Sequence, residues 1–369
     1  DRDGWDLYSY SYSMTKRISI LGTVGVPAAY GGFETLAENL VAFAEQQNLA
    51  VNLSVYCSGP TGLDRYKGAE LRYINISANG ISSIFYDTVC LASALKRKDH
   101  LILLLGVSGS LALPLIRLIS NVHIITNVDG IEWKREKWSP LAKLFLRAAE
   151  YFAVKFSHQV IADNLGIADH INESYGKGCR VVAYGGDHAI DVEPKTIDIE
   201  LPEEYALALC RIEPENNVEM ILTAFSDTPD YDLVFIGNWN FSDFGQSMHA
   251  KFKTFSNLHL LDPIYDNGVL RSIRSGSSVY IHGHSAGGTN PSLVEMMHFA
   301  TPLFAFDCGF NRYTTDNCAI YFSSASELKN SLINFDSEEL LRVGEIMASI
   351  ADEKYRWRHI GKQYFDLML

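Results

Sequence analysis

Residues 280–297, YIHGHSAGGTNPSLVEMM, hold the groups best spaced for chemistry. Gly287 and Gly288 open a loop without side-chain bulk, Thr289 follows, and Asn290-Pro291 has the composition of a helix start. Asn caps a first turn well, and Pro suits the first helical position, where no amide hydrogen is needed. A strand, a glycine loop and a helix N-terminus in succession form an anion cradle, because unpaired backbone N–H groups and the helix dipole converge there. Phosphate is the guest such a cradle would take. Glu295, about one turn beyond Pro291 and on the same face, could accept hydrogen bonds from sugar hydroxyls beside that phosphate. An ordinary strand-to-helix turn with a solvated Glu295 accounts for this stretch equally well.

Other candidates stand at the ends of expected strands. Arg211, in CRIEPENN, could neutralise diphosphate charge. Asn216 and Glu219 in the same stretch fit a capping-box-like pattern, which gives Asn216 a structural role, while Glu213 and Glu215 are ambiguous. Near the start, GTVGVPAAYGGFET (22–35) holds four glycines, Gly22, Gly25, Gly31 and Gly32, which either admit a ligand to the backbone or serve a turn of positive φ. A dinucleotide fingerprint does not fit: the spacing is not GxGxxG, and strand 51–56 ends in Cys57-Ser58-Gly59 with no acid to hold a ribose. In NVDGIEWKREKW (127–138), Asp129 and Glu132 follow a strand, where either could orient or deprotonate a hydroxyl, although each taken singly reads as a capping or solvated acid. His282 and His284 would point to one side of a strand, but no third ligand stands at a convincing spacing, and Asp230-Tyr231-Asp232 precedes a strand; no metal is expected. No G-x-S-x-G elbow, P-loop or HExxH occurs, which removes the common hydrolase, kinase and zinc-protease readings.

Two alternating series must position these groups. The first runs through strands 17–21, 51–56, 71–76, 101–105, 122–126, 158–162 and 180–183, and its first helix places Phe33, Leu36, Ala37, Leu40, Val41 and Ala44 on one face. A later helix carries Leu141, Leu144, Phe145, Ala148 and Phe152 as its expected core face. The second series has strands 205–210, 233–237, 258–261, 278–281 and 302–306 with helices 218–225, 246–255, 267–275 and 291–300. Gly185, Gly186, Pro194, Pro202 and many charges place the interdomain linker in 184–204, and 337–369 is helical in pattern. The expectation is an α/β protein of two doubly wound, Rossmann-like domains with parallel sheets and a ligand crevice between them.

Composition supports this. A chain of 369 residues exceeds a single-core size, and 47% hydrophobic with 20% charged residues excludes disorder. A net charge of −13 argues against nucleic acid as partner. The six cysteines form no CxxC pair, as expected of reduced cytosolic thiols. Residues 1–13 read as an appended leader before Met14, and 101–125 reads as a buried strand and core helix because glycines, Pro114 and Arg117 interrupt it. Residues 134–155 reverse the chain's sign with Lys134, Arg135, Lys137, Lys143, Arg147 and Lys155 against Glu136 and Glu150. That segment fits an anionic membrane or a diphosphate-bearing acceptor, or a core-packed helix with a basic solvated face.

Together these motifs resemble family 4 glycosyltransferases of the GT-B fold, closest to the bacterial rhamnosyltransferase-like subgroup that assembles surface polysaccharides, from about Met14 to the C-terminus. The resemblance implies metal-independent, retaining transfer from a nucleotide-diphosphate sugar, without a cofactor. It implies an acceptor domain over 14–190, a nucleotide-sugar domain over 191–350 and a C-terminal helix, 351–369, packing back on the first domain. Glu295 matches the second Glu of the E-x7-E motif, which holds the ribose; Gly288, Thr289 and Asn290 match the loop beside the diphosphate and donor sugar. Arg211 matches the diphosphate cation, and Gly31 with Gly32 the loop near donor phosphate and acceptor. Two departures stand out: the first Glu falls at Gly287, and Asn216 replaces the usual Lys. Asp129 stands where many relatives place a His, so Asp129 and Glu295 are the expected catalytic carboxylates, with Glu132 beside the acceptor. The implied partners are a dTDP- or UDP-sugar and a saccharide or lipid-diphosphate-linked saccharide, at a cytoplasmic location with contact to the inner membrane face. A non-catalytic sugar-nucleotide binder of the same fold is the alternative.

Overall fold

The structure, a computed structural model, describes residues 15–28, 31–128, 130–135 and 138–369; the expected leader, Asp129 and Lys137 lie outside them. Its first sheet contains β1 (Lys16–Leu21), β2 (Val51–Ser58), β3 (Arg65–Tyr66), β4 (Ala69–Ile74), β5 (Leu101–Leu105), β6 (His123–Val128), β7 (Gln159–Ala162) and β8 (Arg180–Val181). The order is β3-β4-β2-β1-β5-β6-β7-β8, parallel throughout except for β3, which runs antiparallel to β4. Two residues are too few for β3 to show alternation, so nothing in the sequence announces it. The central strand β5, LILLL, is a continuous apolar run because helices cover both faces of the sheet.

The helices of this unit are α1 (Gly32–Gln46), α2 (Ser82–Lys96), α3 (Leu113–Ile119), α4 (Pro140–Phe156) and α5 (Leu165–Tyr175). Helix α1 buries Leu36, Ala37, Leu40, Val41 and Ala44, the face expected from spacing. Helix α4 corrects its expectation. Leu141 and Leu144 point outward, and the buried residues are Ala149, Glu150, Ala153 and Val154. Alanines let the helix approach closely, and the Glu150 carboxylate is satisfied inside: it accepts from Tyr175 Oη (2.5 Å), His170 Nε2 (2.8 Å) and Trp133 Nε1 (3.2 Å).

The second sheet contains β9 (Ala206–Leu209), β10 (Leu233–Ile236), β11 (Leu258–Leu261), β12 (Val279–His282), β13 (Leu303–Phe306) and β14 (Ile320–Phe322), in the order β11-β10-β9-β12-β13-β14, all parallel. Its helices are α6 (Val218–Ser226), α7 (Asp243–Phe252), α8 (Asn267–Gly276), α9 (Pro291–Met297), α10 (Gly309–Thr314), α11 (Ala325–Asn334) and α12 (Ser337–Lys354). The last helix, α13 (Trp357–Met368), crosses back to pack on α1, where Phe43 and Phe365 stack at 5.7 Å. The two crossings between units run side by side: Gly186 N donates to Tyr355 O (2.7 Å), and Trp357 N donates to the Asp187 carboxylate (2.8 Å). Strand order reverses at β1/β5 in one sheet and at β9/β12 in the other, so each has a crevice at the carboxyl ends of those strands.

Candidate functional site

The loop leaving β12 is sewn to the loop leaving β9. Ser285 donates through N and Oγ to the Glu215 carbonyl (2.9 and 2.8 Å), and Asn217 Nδ2 donates to the Gly283 carbonyl (2.8 Å). Gly283 has no room for a side chain, since a Cβ there would lie 2.1 Å from the Asn216 carbonyl oxygen. Asn216 is not the helix cap expected from its spacing. Asn217, in the left-handed region at φ 50°, precedes α6, while buried Asn216 donates from Nδ2 to the Arg211 carbonyl (2.6 Å) and meets His284 Nδ1 through Oδ1 (2.6 Å). The amide orientation assigns the proton to His284 Nδ1 and leaves Nε2 an acceptor. Burial, then His282, Arg135 and Arg211, push the pKa of His284 well down, so the ring is neutral at pH 7.

His284 Nε2 faces Gly287, whose φ of 122° favours glycine; a Cβ there would lie 3.1 Å from that nitrogen and 3.7 Å from Arg135 Nη2. Arg135 comes from the other unit, anchored by Glu132 (Nε–Oε1, 3.1 Å). Glu132, a candidate for acceptor or phosphate contact, is therefore engaged in holding a cation. Arg211 is exposed on the loop after β9, its charge reaching His284. Glu215 has its carboxyl pKa raised by burial and by Glu213, with Arg135 working in the opposite direction. Neither Arg135 nor His284 was legible as a site residue: the first was one of several cations, the second half of a failed metal pair.

Asn290 caps α9, accepting from Ser292 N (3.1 Å) and Ser292 Oγ (2.8 Å), with Pro291 at the first helical position. Thr289 Oγ1 donates to the Asp163 carbonyl (2.5 Å), and Gly288 lies against the Asp163 carboxylate. Glycines of the first unit complete the meeting: a Cβ on Gly32 would be 3.5 Å from Pro291 Cγ, and one on Gly130 would be 3.7 Å from Gly287 Cα. Gly31, at φ 123°, precedes α1, and Glu34 folds back beside it to accept from Val24 N (2.7 Å) and Thr23 Oγ1 (3.0 Å). The fold thus brings together Gly32, Arg135, His284 and 287–291.

Glu295 is held differently from the sequence expectation of a carboxylate open to a hydroxyl. Arg274 engages Oε2 and His188 Nε2 lies 3.1 Å from Oε1. Trp357 Nε1 donates to His188 Nδ1 (2.9 Å), which leaves the His188 proton on the nitrogen facing Glu295. Burial opposes the charge of Glu295, but Arg274 and His188 outweigh it and hold the carboxyl at about 2. Asp129 lies outside the described residues. Among the described residues no group of three or more His, Cys, Asp or Glu side chains is placed to hold a metal ion.

A family model described as a domain of unknown function, DUF1972, matches residues 15–187, the part carrying the first sheet. A comparison with curated proteins found no match. Among solved structures, the chain is similar to sucrose-phosphate synthase from Thermosynechococcus elongatus (TM-score 0.78, 14% identity, covering 96% of this chain and 98% of that one). It is also similar to a glycosyltransferase from Rickettsia africae (0.71, 12%, 96% and 98%). HepE from Anabaena, solved in complex with UDP, is a third such structure (0.69, 13%, 96% and 99%). At these identities the likeness is one of fold, and it covers nearly the whole of each chain: two doubly wound domains facing each other across a cleft, the GT-B arrangement.

Proposed function

We propose that the protein is a glycosyltransferase that moves a sugar, rhamnose in the subgroup it resembles, from a dTDP- or UDP-linked donor to a saccharide acceptor, with retention and without a metal. The observation that carries this reading is the meeting of two glycine-lined loops from opposite units, Gly32 with Pro291 and Gly130 with Gly287, beside Arg135, Arg211 and a neutral His284. Backbone without side chains admits a bulky ligand, and the two guanidinium groups offset a diphosphate, whose charge grows as the sugar departs. His284 Nε2 offers a fixed acceptor for a sugar hydroxyl. Glu295, held charged, keeps lone pairs for ribose hydroxyls, and Asp129 would orient or deprotonate the acceptor. The likeness to HepE, solved with UDP, supports a uridine nucleotide as the first to try. A lipid-diphosphate-linked acceptor in bacterial surface polysaccharide synthesis fits the same reading.

Isothermal titration with UDP and dTDP tests it. The intact protein binds at least one, and Arg211→Ala or Arg135→Ala weakens binding by about tenfold, the loss of one charge-assisted contact. No binding, or binding indifferent to both substitutions, overturns it. A sugar-nucleotide binder without transfer activity is favoured by one feature: Gly287 supplies no carboxylate where the donor sugar would lie. Donor turnover with a lipid-linked acceptor extract separates the two, since a binder gives affinity and no transfer.

A further inference from the structure

Helices α2, α3 and α4 lie side by side on one face of the first sheet. Leu113 and Ile116 of α3 share a core cluster with Tyr86, Cys90 and Leu91 of α2, and α3 packs in turn on α4. The outer side of this face is apolar. Ile81, Leu118 and Leu141 are 80%, 83% and 78% exposed, and Phe85, Leu115 and Leu144 are exposed beside them. Each helix starts where a parallel strand has ended, so Ile81, Leu115 and Leu141, at or near helix starts, stand at the rim of the sheet that faces the cleft. Large apolar side chains left exposed in this number on neighbouring helices of one face mark an interaction site.

Its charge indicates the occupant. The chain carries −13 overall, yet the only acids from residue 71 to 128 are Asp87 and Asp99, both buried, and the only acid of α4 is Glu150, also buried. The described residues of α2, α3 and α4 therefore present no carboxylate to solvent, and Glu132, in the turn before α4, is paired with Arg135. Exposed Lys134, Arg147 and Lys155, with half-buried Lys143, flank the leucines of α4, and Trp133 lies under Lys134 and Arg147 at 5.5 and 5.3 Å. Leucines that enter a bilayer surface beside cations that meet anionic headgroups are the two components of peripheral binding. No described helix is long and apolar enough to cross a membrane, so contact would be at the surface.

We propose that the α2-α3-α4 face docks on an anionic lipid bilayer, with the cleft rim turned toward the membrane. This stands apart from the transfer reading, because vesicle binding needs neither donor nor acceptor. The test is co-sedimentation of the full chain with vesicles of phosphatidylglycerol in phosphatidylcholine, against phosphatidylcholine alone. The protein sediments with the anionic vesicles and much less with the neutral ones. Leu141→Ser/Leu144→Ser, at exposed positions that leave the core intact, lowers partition by about tenfold, and Lys143→Glu or Arg147→Glu by roughly fivefold each. Failure to sediment, or equal sedimentation of the serine variant, overturns the proposal. A lipid-free dimer in sedimentation velocity that the same serine variant dissociates also overturns it, assigning the face to a second copy of the chain.

Discussion

Glu295 is the residue whose chemistry is most fully set by its neighbours. Its side chain is 13% exposed and its partner Arg274 6%, so water screens the pair little. A carboxyl held at about 2, against an ordinary 4.5, stabilises the fold by about 3 kcal/mol at neutral pH. Because the folded-state value is the lower one, that contribution is complete above about 4.5 and is lost as pH falls toward about 2. Urea unfolding should show Glu295→Gln less stable than the parent at pH 7, with the gap narrowing below pH 5. A gap independent of pH would mean that Arg274 and His188 do not hold the charge. The contrast with His284 is instructive. Both groups are enclosed, but at His284 burial is reinforced by His282, Arg135 and Arg211 against the opposing backbone hydrogen bond at Ala286, so the ring is neutral.

At the scale of elements, α4 and the turn before it act as one unit. Glu150 gathers Trp133, His170 and Tyr175 from outside its own helix and so fixes the turn that carries Arg135 into the cleft. Glu150→Ala would leave three buried or half-buried donors without their acceptor, at a cost of roughly 3 kcal/mol. The expected result in urea unfolding is a destabilisation of that order with a red shift of tryptophan emission as Trp133 loosens. Unchanged stability and emission would show that packing alone positions the turn. This helix also explains a misreading. Spacing places Leu141 and Leu144 on a core face, because apolar periodicity is ordinarily the core signal. A buried carboxylate reverses the expectation when it has three donors, and those donors come from segments up to 25 residues away.

For the whole molecule, the return of α13 joins the units. Ile360, Tyr364, Phe365 and Met368 are buried against the first unit, and Asn127 Nδ2 donates to Tyr364 Oη (2.5 Å) from the middle of the first sheet. At about 2 kcal/mol for each large apolar side chain, these four contribute roughly 8 kcal/mol, comparable with the 5–15 kcal/mol that holds a whole domain folded. A chain ending at residue 355 should therefore lose cooperative urea unfolding or elute as aggregate in size exclusion. A sharp, parent-like transition would show that α13 is dispensable.

The sequence alone determined what is local. The alternation of strands and helices, the buried face of α1, and the Asn290-Pro291 helix start all follow from periodicity and capping, which act over a few residues. Two doubly wound units with glycine loops at their strand ends followed from the same signals. Only the tertiary structure decided the strand orders, and hence where each sheet's crevice opens. It alone set Arg135 against Gly287, tied Glu295 to Arg274 and His188, and turned the leucines of α4 outward. Each of these rests on groups distant in sequence meeting where solvent is excluded. There, charge and hydrogen bonding depend on which neighbours arrive, and no local pattern names those neighbours.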